Sequence, residues 1–405
     1  MNRTRRIAAI AALALALPLP LAGAAMASSP SLSSPPSATA PAAVADASTP
    51  AASTPAAFHG ELPRPTGPYA AGEEVLHLTD RARTDPWVPS AGPRQLTVSM
   101  FYPARQDTGA PAPYMSLGEA QGFVATRVPP GTGLQPQDLA DLKTYAYTDA
   151  KAAGGRFPLV VLSPGFENPR ATLTGLATDL AAHGYVVALV GHPYEDSGET
   201  LADGSTPGCA LCETGAPDTL PDSRAKDVSF VLDQLTGHHP AWRLAHLIDR
   251  SRIGMAGHSI GGASTLTAMA EDQRILAGVN MDGTFFPPTP TDSLKGRSFL
   301  LLGKQSDHSA GSGDPSWGQT WAGWDGYKPW LAVAGTAHAG FTDVPILAAE
   351  AGLPLPPDLT TSPERGMQLT REYVGAFFDR TLKGIHQPLL DGPSAANPEV
   401  LFQHP

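Results

Sequence analysis

The segment RIGMAGHSIGGAS, residues 252–264, places one serine between two glycines at the end of a short apolar run. Residues 257–261 (GHSIG) match G-x-S-x-G, a pattern that a chain of this composition contains by chance on the order of a few tenths of a time. The flanking residues are stronger evidence for a catalytic serine, because a strand pattern precedes the match and the small-residue helix pattern GGASTLTAMA follows it. This order predicts a nucleophile elbow, a turn that strains the serine backbone and needs the flanking glycines for space. The alternative is an ordinary glycine-rich turn in which Ser259 only caps the helix.

The rest of the chain predicts strands that alternate with helices. Apolar runs that end in turn residues lie at 96–102, 159–162, 185–190, 253–256, 277–281, 299–302 and 330–334. Apolar residues recur at helical spacing in 171–183, 224–235 and 366–383. Continuous apolar runs suit strands buried on both faces, so the order predicts an α/β fold with a mostly parallel central sheet and helices on both faces. In such sheets the reactive residues collect at the carboxyl ends of the strands.

A serine hydroxyl is a weak nucleophile at neutral pH, so a catalytic Ser259 needs a histidine base and an acid that orients the histidine. His338, in GTAHAGFTD, follows the last predicted strand, where the base of an elbow-type enzyme should lie. The acid stays open between Asp282, directly after the strand AGVNM, and Asp307, after the next strand. Either aspartate would reach His338 at the edge of the sheet.

Three other histidines are weaker candidates for the base. His258 is adjacent to Ser259 and should point away from it, His192 suits the wall of a pocket, and His308 lies in the loop after the strand FLLLG. A lone histidine is more often structural than catalytic, and only His338 combines the expected chain order with the expected position.

The tetrahedral intermediate of acyl transfer also needs two backbone N–H donors. The first is predicted to be the N–H of Ile260, the residue after the nucleophile. The second is predicted to be the N–H of Phe166 in the turn SPGF, where Gly165 allows a tight bend. The alternative is a plain turn with no catalytic role.

The first 57 residues differ in composition from the remainder. Residues 1–27 combine three arginines, an apolar run and the small residues Ala-Met-Ala, which predicts a secretory signal peptide; a retained anchor is the alternative. Residues 28–57 are almost wholly Ser, Pro, Ala and Thr and predict a disordered linker. Residues 58–405 then form one catalytic domain. We therefore expect a secreted protein, either free or associated with the cell wall.

Charge and cysteine content limit the partners of the protein. A formal net charge of −11, with no basic run after the signal, argues against nucleic acid and against an anionic membrane surface. We expect a monomer without stable membrane insertion. Cys209 and Cys212, in CALC, predict a local disulfide that pins a loop, with free thiols as the alternative. Two cysteines alone cannot make a structural zinc site.

Six motifs follow one another along the chain: LVVLSPGFENPR, HGYVVALVGHPYED, RAKDVSFVLDQL, RIGMAGHSIGGAS, GVNMDGTFFP and GTAHAGFTD. In this order they resemble the plasma, or type II, platelet-activating factor acetylhydrolase family of α/β-hydrolases, in its exported bacterial form. The resemblance covers residues 96–384. The combination of motifs is specific, although each motif alone is not.

The resemblance implies a role for each matching residue. Ser259 would be the nucleophile, His338 the base, and Phe166 the donor after the S-x-G turn, while the D-x-x-x-F-P context favours Asp282 over Asp307 as the acid. The resemblance also implies carboxylic ester hydrolysis without metal or cofactor. The expected substrates are small-molecule or lipid esters that carry short or oxidised acyl chains, which connects the protein to lipid degradation.

Two segments depart from the family pattern and leave the substrate open. Residues 195–222 contain the CALC motif, and residues 316–330 (SWGQTWAGWDGYKPW) are rich in tryptophan. Either segment would suit the wall of an acyl pocket, although core packing is the preferred interpretation of the tryptophans. The alternatives are a cutinase- or lipase-type polyester hydrolase and a non-catalytic envelope binding protein with a hydrolase fold.

Overall fold

A single sheet runs through the computed structural model of the protein, which describes Phe58 and residues 60–106, 108–286 and 291–404. The predicted signal peptide (1–27) and linker (28–57) lie outside the described residues. Across the sheet the strands lie in the order β11-β10-β9-β8-β7-β5-β6-β2-β1-β4-β3. The strands of the described residues are β1 (Ala70–Thr84), β2 (Pro93–Ala104), β3 (Ala110–Pro111), β4 (Ala146–Thr148), β5 (Phe157–Ser163), β6 (Val186–Gly191), β7 (Ile248–His258), β8 (Ile275–Met281), β9 (Ser298–Lys304), β10 (Trp330–Val333) and β11 (Val400–Phe402).

The centre of the sheet is parallel, as the alternating pattern predicts. Strands β6, β5, β7, β8, β9 and β10 are parallel neighbours, whereas β2 joins β6 and β11 joins β10 in the antiparallel direction. Because all the parallel strands end at the same edge, the residues that follow them are brought together there.

Helices cover both faces of the sheet. The α-helices of the described residues are α1 (Leu117–Arg127), α2 (Pro136–Ala140), α3 (Thr174–Ala182), α4 (Leu220–Thr236), α5 (Ile260–Glu271), α6 (Gln305–His308), α7 (Pro315–Ala322), α8 (Val344–Glu350) and α9 (Pro363–Leu382). Helices α4 and α5 share one apolar cluster with Leu159 and Val161 of β5, while α3 and α9 share the other with Val160 and Leu162. The run LVVL is therefore buried on both faces, which is why it is continuously apolar.

Long-range contacts account for the differences from the predicted elements. The pattern at 171–183 predicts one helix, but residues 170–173 form a 3-10 turn and α3 begins at Thr174. Asp343, far along the chain, accepts a hydrogen bond from Gly175 N at 3.0 Å and so caps this helix. Strand β1 carries too many charged residues to be recognised as a strand, and it forms through its long antiparallel register with β2. None of the described helices combines the length and the apolar composition that crossing a membrane requires.

Candidate active site

The turn between β7 and α5 is a nucleophile elbow in its backbone geometry. Ser259 has φ 56° and ψ −126°, a conformation that L-residues rarely adopt, and its N–H donates to Met281 O at 2.8 Å. A Cβ on Gly257 would lie 2.1 Å from the carbonyl carbon of Gly261, and one on Gly261 would lie 2.1 Å from Ser163 O. The glycines are therefore required for the close approach of strand, helix and neighbouring loop. Ser259 itself is only partly buried, so a substrate can reach it.

His338 lies between Ser259 and Asp282. Its Nε2 is 3.0 Å from Ser259 Oγ and its Nδ1 is 2.6 Å from Asp282 Oδ2. A carboxylate oxygen only accepts, so Nδ1 carries the proton and the Nε2 lone pair faces the serine hydroxyl. This is the orientation that a general base needs to take the serine proton. The His338 side chain is 50% exposed, which opens this side of the site to solvent.

Asp282 follows β8 and is buried, with a left-handed backbone (φ 61°). Burial alone would raise its pKa, but hydrogen bonds from His308 and His338 outweigh that effect and hold the pKa of Asp282 well below its usual range. The carboxylate is therefore charged when it orients His338. Asp307, the alternative acid, lies on the surface and pairs with Lys304 Nζ at 2.9 Å. Of the two aspartates that the sequence left open, Asp282 is the one in contact with His338.

The two predicted N–H donors lie on segments that meet at Ser259. Ile260 is the first residue of α5, so its N–H is one of the four that have no partner within the helix. The loop after β5 approaches from the other side, since a Cβ on Gly165 would lie 3.3 Å from Ser259 Cβ. Glu167 N donates to Glu195 O at 2.9 Å, which holds the backbone directly after Phe166. The oxyanion role of Phe166 and Ile260 stays a prediction.

His258, which the sequence predicts to point away from Ser259, contacts the predicted base. Its Nε2 donates to the backbone oxygen of His338 at 2.8 Å, and the two rings lie 4.7 Å apart between centroids. Burial, with a smaller effect from His338, lowers the pKa of His258 to about 3. The ring is therefore neutral, and it supports the backbone of His338 without adding charge to the site.

His308, which the sequence ranked as a weaker candidate for the base, contacts the triad acid. Its Nδ1 is 2.6 Å from Asp282 Oδ1, and its Nε2 is 3.1 Å from Asp314 Oδ2. Burial would lower the pKa of His308, but the hydrogen bonds to Asp282 and Asp314 outweigh burial and raise the pKa to about 9. The sequence signal was present, because His308 follows a strand that ends at the reactive edge. The local pattern does not distinguish a base from a partner of the acid at this position, and the contact with Asp282 does.

A second Ser–His–Asp set lies beneath the loop after β5. Ser163 Oγ is 3.0 Å from His192 Nε2, and His192 Nδ1 is 2.9 Å from Asp227 Oδ2. The side chains of His192 and Asp227 are fully buried, and Ser163 is buried with them, so no ester can reach this hydroxyl. His192 therefore belongs to an internal network and does not line a pocket wall.

Arginines occupy the remaining acceptors of this buried set. Arg94 Nη2 donates to Asp227 at 2.8 Å and to Glu195 at 3.3 Å, and Arg224 Nη1 donates to Ser163 Oγ and to Pro164 O. His192, Glu195 and Asp227 lie close enough to hold a metal ion, but both carboxylates are already neutralised by guanidinium groups. The arrangement is that of a structural ion-pair network below the loop that carries Phe166.

The two segments that depart from the family pattern have structural roles. Trp317, Trp324 and Trp330 are buried in an apolar cluster, so core packing is the correct interpretation of these tryptophans. Cys209 and Cys212, in the loop between β6 and α4, form a disulfide with each other, as predicted. The backbone N–H groups of Ala210 and Leu211, within that disulfide loop, donate to Tyr194 O.

Comparison with known proteins agrees with the geometry. The family model described as "Platelet-activating factor acetylhydrolase, isoform II" matches residues 57–202 and 227–389. A "Probable 1-alkyl-2-acetylglycerophosphocholine esterase" of Arthroderma benhamiae is 29% identical over 383 residues, 84% of this chain and 93% of the relative. A bis(hydroxyethyl) terephthalate hydrolase of Streptomyces coelicolor is 29% identical over 153 residues, 36% of this chain and 41% of the relative.

Among solved structures, the ferulic acid esterase from Streptomyces cinnamoneus is similar over almost its whole length. It shares 40% identity, covers 85% of this chain and 99% of its own, and superposes with a TM-score of 0.75. These proteins are named for carboxylic ester hydrolysis, and the fold and the Ser–His–Asp geometry suit the same reaction. The protein is a carboxylic ester hydrolase with the α/β-hydrolase fold, and it belongs to the platelet-activating factor acetylhydrolase isoform II family.

Proposed function

We propose that the protein hydrolyses esters through an acyl-enzyme on Ser259. The observation that carries this assignment is the unbroken contact from Ser259 through His338 to a charged Asp282, at an edge of the sheet that solvent can reach. The buried Ser163 set has the same residue types but no access, so it is not assigned a catalytic role.

In the proposed reaction, His338 Nε2 takes the proton of Ser259 as Oγ attacks the ester carbonyl. The N–H groups of Ile260 and Phe166 stabilise the oxyanion that forms. The C–O bond to the alcohol then breaks, and the alcohol leaves with the proton from His338. A water molecule, deprotonated by the same nitrogen, then attacks the acyl-serine. The acid is released, and the proton passes from His338 Nε2 back to Ser259 Oγ. Asp282 stays ionised throughout and stabilises the imidazolium.

We propose a substrate with a small acyl group on a bulky alcohol. The leaving alcohol takes its proton from His338, and because that side chain is half exposed, the alcohol side of the site can extend into solvent. A short acyl chain on a lipid-like alcohol fits this opening and fits the name of the Arthroderma benhamiae relative. A hydroxycinnamoyl ester is the second candidate, favoured by the 40% identity to the ferulic acid esterase.

A panel of esters tests both the reaction and the substrate class. The panel comprises p-nitrophenyl esters of increasing chain length, a 1-alkyl-2-acetylglycerophosphocholine, methyl ferulate and bis(hydroxyethyl) terephthalate. We expect the highest kcat/KM on the acetyl esters. A maximum on methyl ferulate would select the second candidate, and a maximum on the terephthalate would select the polyester-type alternative.

The matched control is Ser259→Ala. We expect this variant to lose kcat by about 10⁴-fold or more and to lose labelling by a fluorophosphonate probe. Unimpaired turnover or labelling of Ser259→Ala would contradict the assignment of the nucleophile. A lack of turnover on every ester by the folded wild-type protein would contradict the esterase reaction itself.

We also propose that the protein is exported as a monomer after removal of residues 1–27. The support is the arginine-rich start, the apolar run and the small residues before the Ser/Pro/Ala/Thr-rich stretch. Mass spectrometry of the protein from culture medium should give an N-terminus at Ser28, and light scattering should give the mass of one chain. An intact Met1 in the cell fraction would contradict export.

A further inference from the structure

The Asp282 carboxylate is shared by two histidines, one on each oxygen. Oδ2 receives His338 Nδ1 at 2.6 Å, while Oδ1 receives His308 Nδ1 at 2.6 Å and Lys304 N at 2.7 Å. The two rings differ in exposure: the side chain of His308 is 4% exposed and that of His338 is 50% exposed. The reaction proposed above uses His338 and gives no role to His308.

Geometry fixes the protonation state of His308. Its Nδ1 faces Asp282 and its Nε2 faces Asp314 Oδ2 at 3.1 Å, so both ring nitrogens point at groups that only accept. A neutral ring would turn a lone pair towards one of these carboxylates. Asp314 is ionised, because its hydrogen bonds to His308, Ser316 and Thr284 outweigh the effect of burial and lower its pKa to about 2. The ring therefore carries both protons and a positive charge.

The surroundings hold this imidazolium in one orientation. The His308 ring stacks on Trp317 with centroids 4.2 Å apart and planes within 18° of each other. The backbone oxygen of His308 accepts the indole N–H of Trp330 at 2.7 Å. A buried cation is costly unless it is paired and hydrogen-bonded, and here two carboxylates and an aromatic face supply both conditions.

We propose that His308 is a positioning residue for ester hydrolysis: as a fixed cation it orients Asp282 and offsets part of the negative charge that acts on His338. The inference rests on the catalytic roles proposed for Ser259, Asp282 and His338. Without His308, the full negative charge of Asp282 would act on His338 and stabilise its protonated, inactive form. With His308, the cluster of Asp282, His308 and Asp314 carries one net negative charge instead of two, and Asp282 still holds the His338 ring in place.

The other charged groups around Asp282 and His308 do not replace this cation. The titratable groups that act on the pair are Asp314, His258 and Lys304. His258 is buried and neutral, and the Lys304 ammonium is held by Asp307 at 2.9 Å and by Asp358 at 3.6 Å. Lys304 meets Asp282 through its backbone N–H. Among the residues that the structure describes, His308 is the ionisable side chain, apart from the base itself, that hydrogen-bonds to the triad acid.

The test is the pH profile of kcat/KM on a short-chain ester between pH 4.5 and pH 9. The rate is measured by titrating the acid that the reaction releases. His308→Gln keeps a hydrogen-bond donor for Asp282 but removes the charge. We expect the midpoint of the acidic limb to move to higher pH by about half to one unit. The matched control is His183→Gln, which removes a histidine paired with Asp179 between α3 and the start of β6 and should leave the midpoint unchanged.

A purely structural role for His308 would lower the melting temperature of His308→Gln without moving the acidic limb, and that result would overturn the proposal. If His308→Gln does not fold, the charge is measured in the folded His183→Gln variant labelled with ¹⁵N-histidine. One ring that keeps both N–H protons at pH 8 is expected, and its absence overturns the proposal as well. A Ser259→Ala variant that stays active identifies failure of the proposed function instead, independently of the position of the limb.

Discussion

Gly261 has no room for a side chain, because its backbone packs against the loop that carries Phe166. A Cβ at this position would lie 2.1 Å from Ser163 O and 2.7 Å from Pro164 O, both backbone atoms that cannot rotate away. Gly261→Ala should therefore push the loop away from Ser259 and lower kcat by about 10²-fold or more. Wild-type kcat in the folded variant would show that the loop can shift without cost to the reaction.

A matched glycine in the chain controls for the general effect of an added methyl group. Gly375 lies within α9, and a Cβ there would meet no heavy atom within 4 Å. Gly375→Ala should keep wild-type kcat and raise the free energy of unfolding by up to about 1 kcal/mol, because alanine favours the helix. Both variants are compared by steady-state kinetics and by urea unfolding.

The ionisation of His308 also predicts how stability depends on pH. The pKa of this residue is raised from 6.5 to about 9 in the folded protein, because its hydrogen bonds to Asp282 and Asp314 outweigh burial. The folded state then binds the proton more tightly than the unfolded state, so the stabilisation is fully present below pH 6.5 and is lost as the pH rises through 9.

Urea unfolding at a series of pH values measures this effect as the difference between wild type and His308→Gln. The difference in the free energy of unfolding should be largest at or below pH 6.5 and should shrink towards pH 9. A difference that is constant over this range would mean that His308 stabilises the fold by packing on Trp317 and not through its charge.

At the scale of elements, the two Ser–His–Asp sets should respond differently to the same substitution. Ser163→Ala removes one of the two acceptors of Arg224 Nη1 and the partner of His192 Nε2, which leaves buried polar groups less well satisfied. We expect the free energy of unfolding to fall by about 1–3 kcal/mol. We also expect labelling by a fluorophosphonate to persist, and kcat to stay within an order of magnitude of wild type, since Arg224 still holds Pro164 O.

Ser259→Ala should show the reverse behaviour, with little change in stability and loss of labelling. Equal losses of activity in both variants would mean that the buried network does more than support the loop after β5. The comparison therefore separates a hydroxyl that reacts from a hydroxyl that only completes an internal network.

Strand ends were predictable from the sequence, whereas partners across the fold were not. The runs before Ser259, Asp282 and His338 were recognisable because buried parallel strands are continuously apolar and stop at turn residues. Asp343 capping α3, and His308 turning towards Asp282, depend on contacts between distant segments that no local pattern encodes. For the same reason β1 was missed, since only its pairing with β2 makes it a strand.

At the scale of the whole molecule, the contacts that build the catalytic site, within the described part of the chain, join residues between 165 and 338. Removal of residues 1–57 should therefore leave kcat/KM on soluble esters within about twofold of the full chain. It should also leave the melting temperature unchanged. The measurement compares the two purified forms by kinetics and calorimetry, and a loss of activity in the shorter form would assign the N-terminal segment a role in the catalytic domain.

The parallel strands of the sheet position the catalytic residues, whereas the loops between the elements are the parts that can vary. Ser259, Asp282 and His338 each follow the end of a strand, while the disulfide lies in the long loop between β6 and α4. Loops on such a scaffold can be exchanged with few changes to the strands that carry the chemistry. The protein is thus a suitable host for loop grafting: replacing residues 207–219 by the corresponding loop of a relative removes the disulfide loop but keeps Glu195 and the buried ion-pair network, so it should leave the catalytic core intact.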